Sequence, residues 1–442
     1  MRRPPMLRIG LAFGLVLATS TVASANPDAV LGLSGTSASI TPGSALAPIA
    51  IVEGPGIKVG EGTVVHPILG LESAIISNAF YEESDPKPVG VTRVVARVAV
   101  GSLSPQRLQN PDGTEGTNGG TMDYRAALQL SYDLYMSSQE TLQEQGGLGV
   151  GGLIRGTVFP KRTWSFLYLD NFERVLRATN FESTQRTNRD INRLHLGLRY
   201  APEGRTVQAL VHYANLIDFF EDDDQRFANR LHNTFGLTVS WRFRPMTVFW
   251  GEVTQGVHGG FGDESRKVNS YPLRATLGVQ TLLSLKTALI GRIGYANGFY
   301  ADGPSFSAVL GGLQLGYRYS PNGRIALMYE YGHQDSINAN FYRDHAVQLD
   351  IEQRVERSIY LTVRPELRFR KYQGVNTIVA GPDTRSDVIF AATANARYMF
   401  RDSLGGLLEY RAAIVDTDYM SALGDDPSFV RHEVILGVRA AL

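Results

Sequence analysis

The chain contains no cysteine in 442 residues, so it has no disulfide frame and no cysteine to carry a lipid anchor. Net charge is also missing: 43 Lys and Arg stand against 43 Asp and Glu, which leaves no electrostatic case for nucleic acid. No stretch offers 18 consecutive apolar residues, so no helical membrane span is available. Catalytic signatures are absent as well. No G-x-S-x-G, Walker loop or G-x-G-x-x-G stands in a context that could use it, which argues against an enzyme and against a cofactor. The eight histidines, His66, His195, His212, His232, His258, His333, His345 and His432, lie at no metal-ligand spacing and read as isolated lumen or rim residues. The acidic run Glu221-Asp222-Asp223-Asp224 reads as a solvated loop rather than a calcium site.

What is present begins with an export signal. Arg2, Arg3 and Arg8 form a positive n-region, Ile9–Ala18 an apolar core too short to span, and Ala23-Ser24-Ala25 a small-x-small cleavage site. Residues 1–25 therefore read as a signal peptide. Without them, 40 basic residues face 43 acidic ones, and the mature chain is near neutral. Residues 26–62 are rich in Gly, Ser, Ala and Pro with no sustained period, and read as an irregular periplasmic tail. The remainder, 63–442, is dense in glycine and aromatics and alternates apolar with polar positions.

One phrase recurs through that remainder: LHLGLRY at 194–200, LTVSWRF at 237–243, LQLGYRY at 313–319, TANARYMF at 393–400 and VILGVRAAL at 434–442. Its arginines are 43, 76, 79 and 42 residues apart, with a weaker copy, IEQRVER, around Arg354. A period near 40 holding two alternating strands is a hairpin repeat. A β-propeller repeats at a similar interval but packs four short strands into it.

Eighteen alternating segments fit between Thr63 and Leu442, an even number, as bacterial single-chain barrels require. Connections after even segments are tight, such as Arg244-Pro245, Leu285-Lys286 and Asp402-Ser403; those after odd segments are longer and polar. Three links depart from this rule: Pro105–Thr121 is long, and those near Asp302 and Asn340 are short. The segment 358–372 shows the alternation best. Leu361, Val363, Pro365, Leu367 and Phe369 take one face, and Thr362, Arg364, Glu366, Arg368 and Arg370 the other. A transmembrane antiparallel outer-membrane β-barrel of about 18 strands turns the first face to lipid and the second to a wet lumen.

On such strands each copy of the phrase falls at a periplasmic strand end. Tyr200, Trp241, Phe243, Tyr317, Tyr319, Tyr398 and Phe400 then form an aromatic girdle in lipid. Arg199, Arg242, Arg318, Arg354, Arg397 and Arg439 have the opposite parity and form an inward collar, with Arg364, Arg368, Asp350 and Glu366 also lining the pore. Such a collar favours anions; alternatively its guanidinium groups form salt bridges to Asp350, Glu352, Glu366 and Glu409. The last strand, ending in Leu442, resembles an outer-membrane assembly signal with leucine in place of the usual aromatic.

The opening strand His66-Pro67-Ile68-Leu69-Gly70-Leu71-Glu72, followed by Ser77-Asn78-Ala79-Phe80, resembles that of the β-barrel porin-2 families, with Ile75-Ile76 where a Tyr-Asp pair is commoner. These include barrels encoded with exopolysaccharide and capsule secretion genes. The resemblance implies export of a polysaccharide through the bacterial outer membrane, together with a periplasmic polysaccharide export protein docked on the tail or on Pro105–Thr121. The alternative is a passive or substrate-specific porin for small solutes. An inward-folded constricting segment would separate the two, and no outer-loop segment is long enough to be an obvious one.

Overall fold

A computed structural model describes residues 56–59, 62–102, 121–175, 188–204, 206–336, 339–356, 358–375, 384–420 and 426–442. Residues 1–25, read above as a signal peptide, nearly all of 26–62 and most of Pro105–Thr121 lie outside them. The described chain is almost wholly strand. After a short β1 (Ile57–Val59) come β2 (Thr63–Ile76), β3 (Val89–Ser102), β4 (Met122–Met136), β5 (Gly147–Val158), β6 (Trp164–Val175) and β7 (Arg189–Tyr200). Then follow β8 (Val207–Phe220), β9 (Arg230–Arg244), β10 (Thr247–Gly260), β11 (Leu273–Ser284), β12 (Thr287–Asn297) and β13 (Ser307–Ser320). The series ends with β14 (Gly323–Asp335), β15 (Ala339–Val355), β16 (Ile359–Val375), β17 (Thr384–Arg401), β18 (Leu404–Thr417) and β19 (Phe429–Ala441).

Each of β2–β19 pairs antiparallel with the next, and β19 returns to β2 from Glu433↔Ile76 to Ala441↔Ile68. The result is the expected closed barrel of eighteen strands. Closure leaves the first residues of β2 projecting past the end of β19. There β1 pairs with them, Ile57↔Val65 to Val59↔Thr63, within a segment the sequence had suggested was irregular. Since β3 already holds the other side of β2 over its full length, β1 covers the edge that β19 leaves open.

Two-residue turns close β9–β10, β11–β12, β13–β14 and β17–β18 on the rim that holds the C-terminus, while connections on the other rim run longer. In outer-membrane barrels that short-turn rim is periplasmic. Alternation then sorts the side chains. On β11, Leu277 is 68% exposed, and on β2, Ile75 is 69% exposed, because both face outward where lipid would lie. Around the short-turn rim the outward aromatics touch in pairs: Trp164 with Tyr200 at 4.9 Å, Trp241 with Phe243 at 5.1 Å, and Tyr398 with Phe400 at 4.7 Å. An apolar band edged with amphipathic rings is what an outer membrane demands of a barrel wall, and this chain is an outer-membrane β-barrel.

The two links that seemed too short resolve differently. Near Asp302 the connection runs from 298 to 306, because β12 and β13 stop earlier than the alternation suggested. At Asn340 the connection is indeed short, and the hairpin itself supplies the missing length. Pairing of β13 with β14 ends at Gly311↔Tyr331, yet β14 continues paired to β15 as far as Asp335↔Phe341. Above that point the β14–β15 hairpin, still paired to β16 as far as Ala339↔Val375, parts from β13 and carries the end of β14 across the lumen toward β9. Phe341, fully buried, packs with Ala296, Phe306 and Leu310 on the inner side of β12, β13 and their connection. The Arg274 guanidinium of β11 donates to the His333 carbonyl at 3.2 Å, and Arg230 of β9, five strands from β14, reaches Asp335 at 3.0 Å. No long outer loop was expected to constrict the pore, and none does so here: the paired ends of β14 and β15 reach across the lumen instead.

Candidate functional site in the lumen

The structure places the ten sequence-derived candidates on the inward parity and ties five of them into ion pairs. Arg439 meets Glu72 across the closing seam, Arg364 meets Asp350 at 3.1 Å, and Arg368 meets both Glu366 and Asp344, the latter at 3.3 Å. Arg199 donates to Ser165 Oγ at 2.9 Å and to the Pro160 carbonyl at 3.1 Å. Arg354 lies 5.3 Å from the Tyr360 ring centre, and Arg397 sits in the field of Glu409, Glu352, Arg439 and Arg364. Arg242 and Arg318 are fixed by backbone bonds into the neighbouring turns, to the carbonyls of Thr206 and Lys286.

These pairs belong to a longer series. From β14 round the seam to β4 the inner wall alternates cation and anion: Arg324 with Glu352, Arg370 with Asp344 at 2.7 Å, Arg411 with Glu409 at 2.6 Å, and Arg93 with Asp133 at 2.6 Å. Bidentate contacts such as Arg93 to both Asp133 oxygens hold the side chains along the wall. Ring stacking adds to this where Arg370 lies 3.8 Å from the centre of Tyr342.

The opposite wall, β7 to β14, bounds a cavity of about 370 Å³ beneath the inturned hairpin. Five of the eight histidines line it: His195, His212, His232, His258 and His333. They are not the isolated residues that their spacing suggested. His232 and His258 are opposite each other in the β9–β10 register, and their rings stack at 4.0 Å. His333 stacks on Phe306 at 4.2 Å. Among the described residues no group of three or more His, Asp or Glu is placed to hold a metal.

One row of register partners organises this wall. It reads Ser240, Trp250, Gly278, Arg292, Gly312, Glu330 from β9 to β14. Large side chains alternate with glycine, and each large one reclines on the glycine of the next strand. A Cβ on Gly278 would meet the Trp250 indole, and one on Gly312 would stand 2.8 Å from Arg292 Nε. Arg292 then reaches over Gly312 to Glu330 at 2.5 Å. Glu252 and Arg274 flank this row toward the long-loop rim, with Glu252, Arg292 and Glu330 all in the field of Arg274.

The hairpin that roofs the cavity is latched at two places. The Asp335 carboxylate receives Arg230 at 3.0 Å, Lys267 at 3.4 Å and His232 at 3.4 Å. Lys267 also donates to the Ser336 and Ala339 carbonyls. At the tip, Asn340 donates to the carbonyls of Asp302 and Pro304, and its own carbonyl accepts from the Tyr300 hydroxyl at 3.2 Å. Its side chain fits between Gly303 and Gly374, both at positive φ, where a Cβ would stand 2.9 Å from it. Burial, with the Asp335 carboxylate nearby, pushes the Tyr300 phenol above its ordinary range, so it stays a neutral donor.

The sequence reading missed Trp250, Glu252, Arg274, Arg292, Glu330 and the latch. One signal was available. On the segment 246–258, Phe249, Val253 and Val257 set the lipid face, which leaves Trp250 as an aromatic among the polar residues. The Glu221 run is a rim structure: Glu221 pairs with Arg174 at 2.5 Å, and a single 3₁₀ segment, Asp223–Ala228, follows.

No family model matches the chain, and no curated protein matches it in sequence. Among solved structures it is similar to the outer-membrane protein OpdK from Pseudomonas aeruginosa, at 9% identity over 86% of this chain and 99% of that one, with a TM-score of 0.47. It is similar also to OccAB4 of Acinetobacter baumannii, at 11% identity over 86% of this chain and 98% of that one, TM-score 0.45. The siderophore receptor PirA from Pseudomonas aeruginosa matches at 8% identity over 86% and 80% of the two chains, TM-score 0.41. Likenesses this distant say nothing of what passes through this barrel.

Proposed function

We propose that the barrel is an outer-membrane channel for small hydrophilic solutes, narrowed and made selective by the inturned β14–β15 hairpin. The observation that carries this reading is the hairpin's departure from β13 above Gly311 and its packing across the inner faces of β9 to β13. A polysaccharide moving as a continuous chain needs a passage without such an obstacle. A small solute needs only a cavity on its way, and 370 Å³ lies in the range of about 300–1,000 Å³ typical of ligand sites. Export with a periplasmic export protein, which the opening-strand resemblance implies, is therefore the weaker reading.

The test is permeation through the purified full chain in liposomes and planar bilayers. Stable ion conductance and entry of hexose-sized solutes, with exclusion of long dextrans, is the expected result. A protein that inserts but never conducts would remove the channel reading. Dextran passing as readily as hexose would restore polysaccharide export.

A further inference from the structure

We infer that Trp250 is a sugar platform, and that the cavity wall around it is a binding subsite for a neutral hexopyranose. The inference rests on the channel reading above and names the solute class for it. Trp250 is a conspicuous residue for a wet lumen. The chain has three tryptophans, and the other two, Trp164 and Trp241, face lipid at 55% and 46% exposure. Trp250 alone points inward, into the cavity. Its indole lies along the wall because Gly278, its register partner on β11, has no side chain to lift it. The indole thus occupies the space a Gly278 side chain would fill, at the cavity wall.

An indole face carries the negative lobe of the ring quadrupole and is apolar. A pyranose offers the complement, a flat face of C–H bonds with a small positive charge, ringed by hydroxyls. The groups around Trp250 suit those hydroxyls. Arg292 lies two strands away in the same row, Glu252 two residues along the same strand, and Arg274 and Glu330 complete the surround. Guanidinium groups donate in pairs, and carboxylates accept in pairs, so vicinal hydroxyls can be held from both sides by charge-assisted bonds.

The charge count selects among sugars. The lining carries Arg193, Arg230, Arg274 and Arg292 against Glu252, Glu330 and Asp335. Arg193 is met by Glu173 at 3.9 Å and Arg230 by Asp218 and Asp335, which leaves Arg274 and Arg292 beside Glu252 and Glu330, with the Arg292–Glu330 pair already closed at 2.5 Å. Such a surround has dense donors and acceptors but no net charge to spare. It favours a neutral polyhydroxyl ring over a sugar acid or an amino sugar.

The probes are D-glucose and D-galactose, with D-glucuronate and glycerol as comparisons, on the full chain. In planar bilayers the hexoses should interrupt the ion current in a dose-dependent way, and glucuronate and glycerol should do so far less. In Trp250→Ala, with block measured relative to that variant's own open current, the hexose concentration for half-block should rise about tenfold, the scale of one aromatic contact. A conducting wild-type channel indifferent to hexoses, equal block in Trp250→Ala, or stronger block by glucuronate than by glucose would each overturn the proposal.

A second measurement separates this from the channel reading. With Trp164→Phe and Trp241→Phe, Trp250 is the sole indole, and its fluorescence should change saturably with glucose. If the protein does not conduct but this signal saturates, the platform stands and the channel falls. If it conducts and the signal is flat, the platform falls alone.

Discussion

A single arginine in this lumen does two jobs that only its neighbours can tell apart. Arg439 and Arg364 are tied to Glu72 and Asp350 and stiffen the wall. Arg242 and Arg318 have their backbones pinned to the periplasmic turns, by bonds to the Thr206 and Lys286 carbonyls. Replacing Arg199, Arg242, Arg318 and Arg397 together by Gln should lower anion over cation selectivity, read as a shift in reversal potential across a salt gradient, with assembly intact. An unshifted reversal potential would remove the collar and leave the barrel. The parity of these residues was legible in the sequence, since period-two alternation assigns a face to each side chain without any partner. Their salt bridges were not. Which carboxylate stands opposite Arg364 depends on the β15–β16 register, and that ladder is interrupted around Pro365, which has no amide N–H, before it resumes in the same register.

Elements were the most readable level. Turn chemistry and alternation place all eighteen barrel strands, with boundaries off by a few residues, because each strand repeats the same local rule. The inturned hairpin was not readable for the converse reason. β14 and β15 look like ordinary strands locally, and the parting of β14 from β13 is set by contacts far away in sequence, such as Arg230 with Asp335, 105 residues apart. Those contacts can be tested one by one. Asp335→Asn removes the charge that gathers Arg230, Lys267 and His232, while Arg230 keeps Asp218 at 2.8 Å. A loss of about 1.5–3 kcal/mol, the usual worth of a hydrogen bond to a charged group, should appear as looser hairpin packing rather than unfolding. The measurement is single-channel recording, where more frequent switching between current levels is expected. A current trace like that of the wild type would show that the Asn340 and Phe341 contacts hold the hairpin by themselves.

For the whole molecule, two solvents replace the usual core and surface. Leucine and isoleucine stand exposed on its outer wall, as Leu277 and Ile75 do, and several of its buried side chains are charged, as Asp218 and Arg370 are. Leu277 and Thr276, adjacent on β11, are the sharpest pair for testing this inversion. Leu277→Arg should lower stability in lipid by about 2–4 kcal/mol, since it places a guanidinium in the apolar band. Thr276→Arg, one residue away in the lumen, should cost much less. Urea titration in vesicles measures both, and equal losses would contradict the assignment of faces.

The seam at which the wall closes has a further consequence, for the order of events as the chain is made. Arg439 and Glu72 are 367 residues apart, and Arg431 reaches the Asn78 carbonyl over 353. No earlier pair can stand in for them, because the free side of β2 takes the barrel strand farthest from it along the chain. Until the two pair, both outer strands are open edges, the form of sheet most prone to join a wrong partner. So long a separation makes closure slow by nature and dependent on help. The short β1, folded back on the start of β2, shields part of that waiting edge from the beginning.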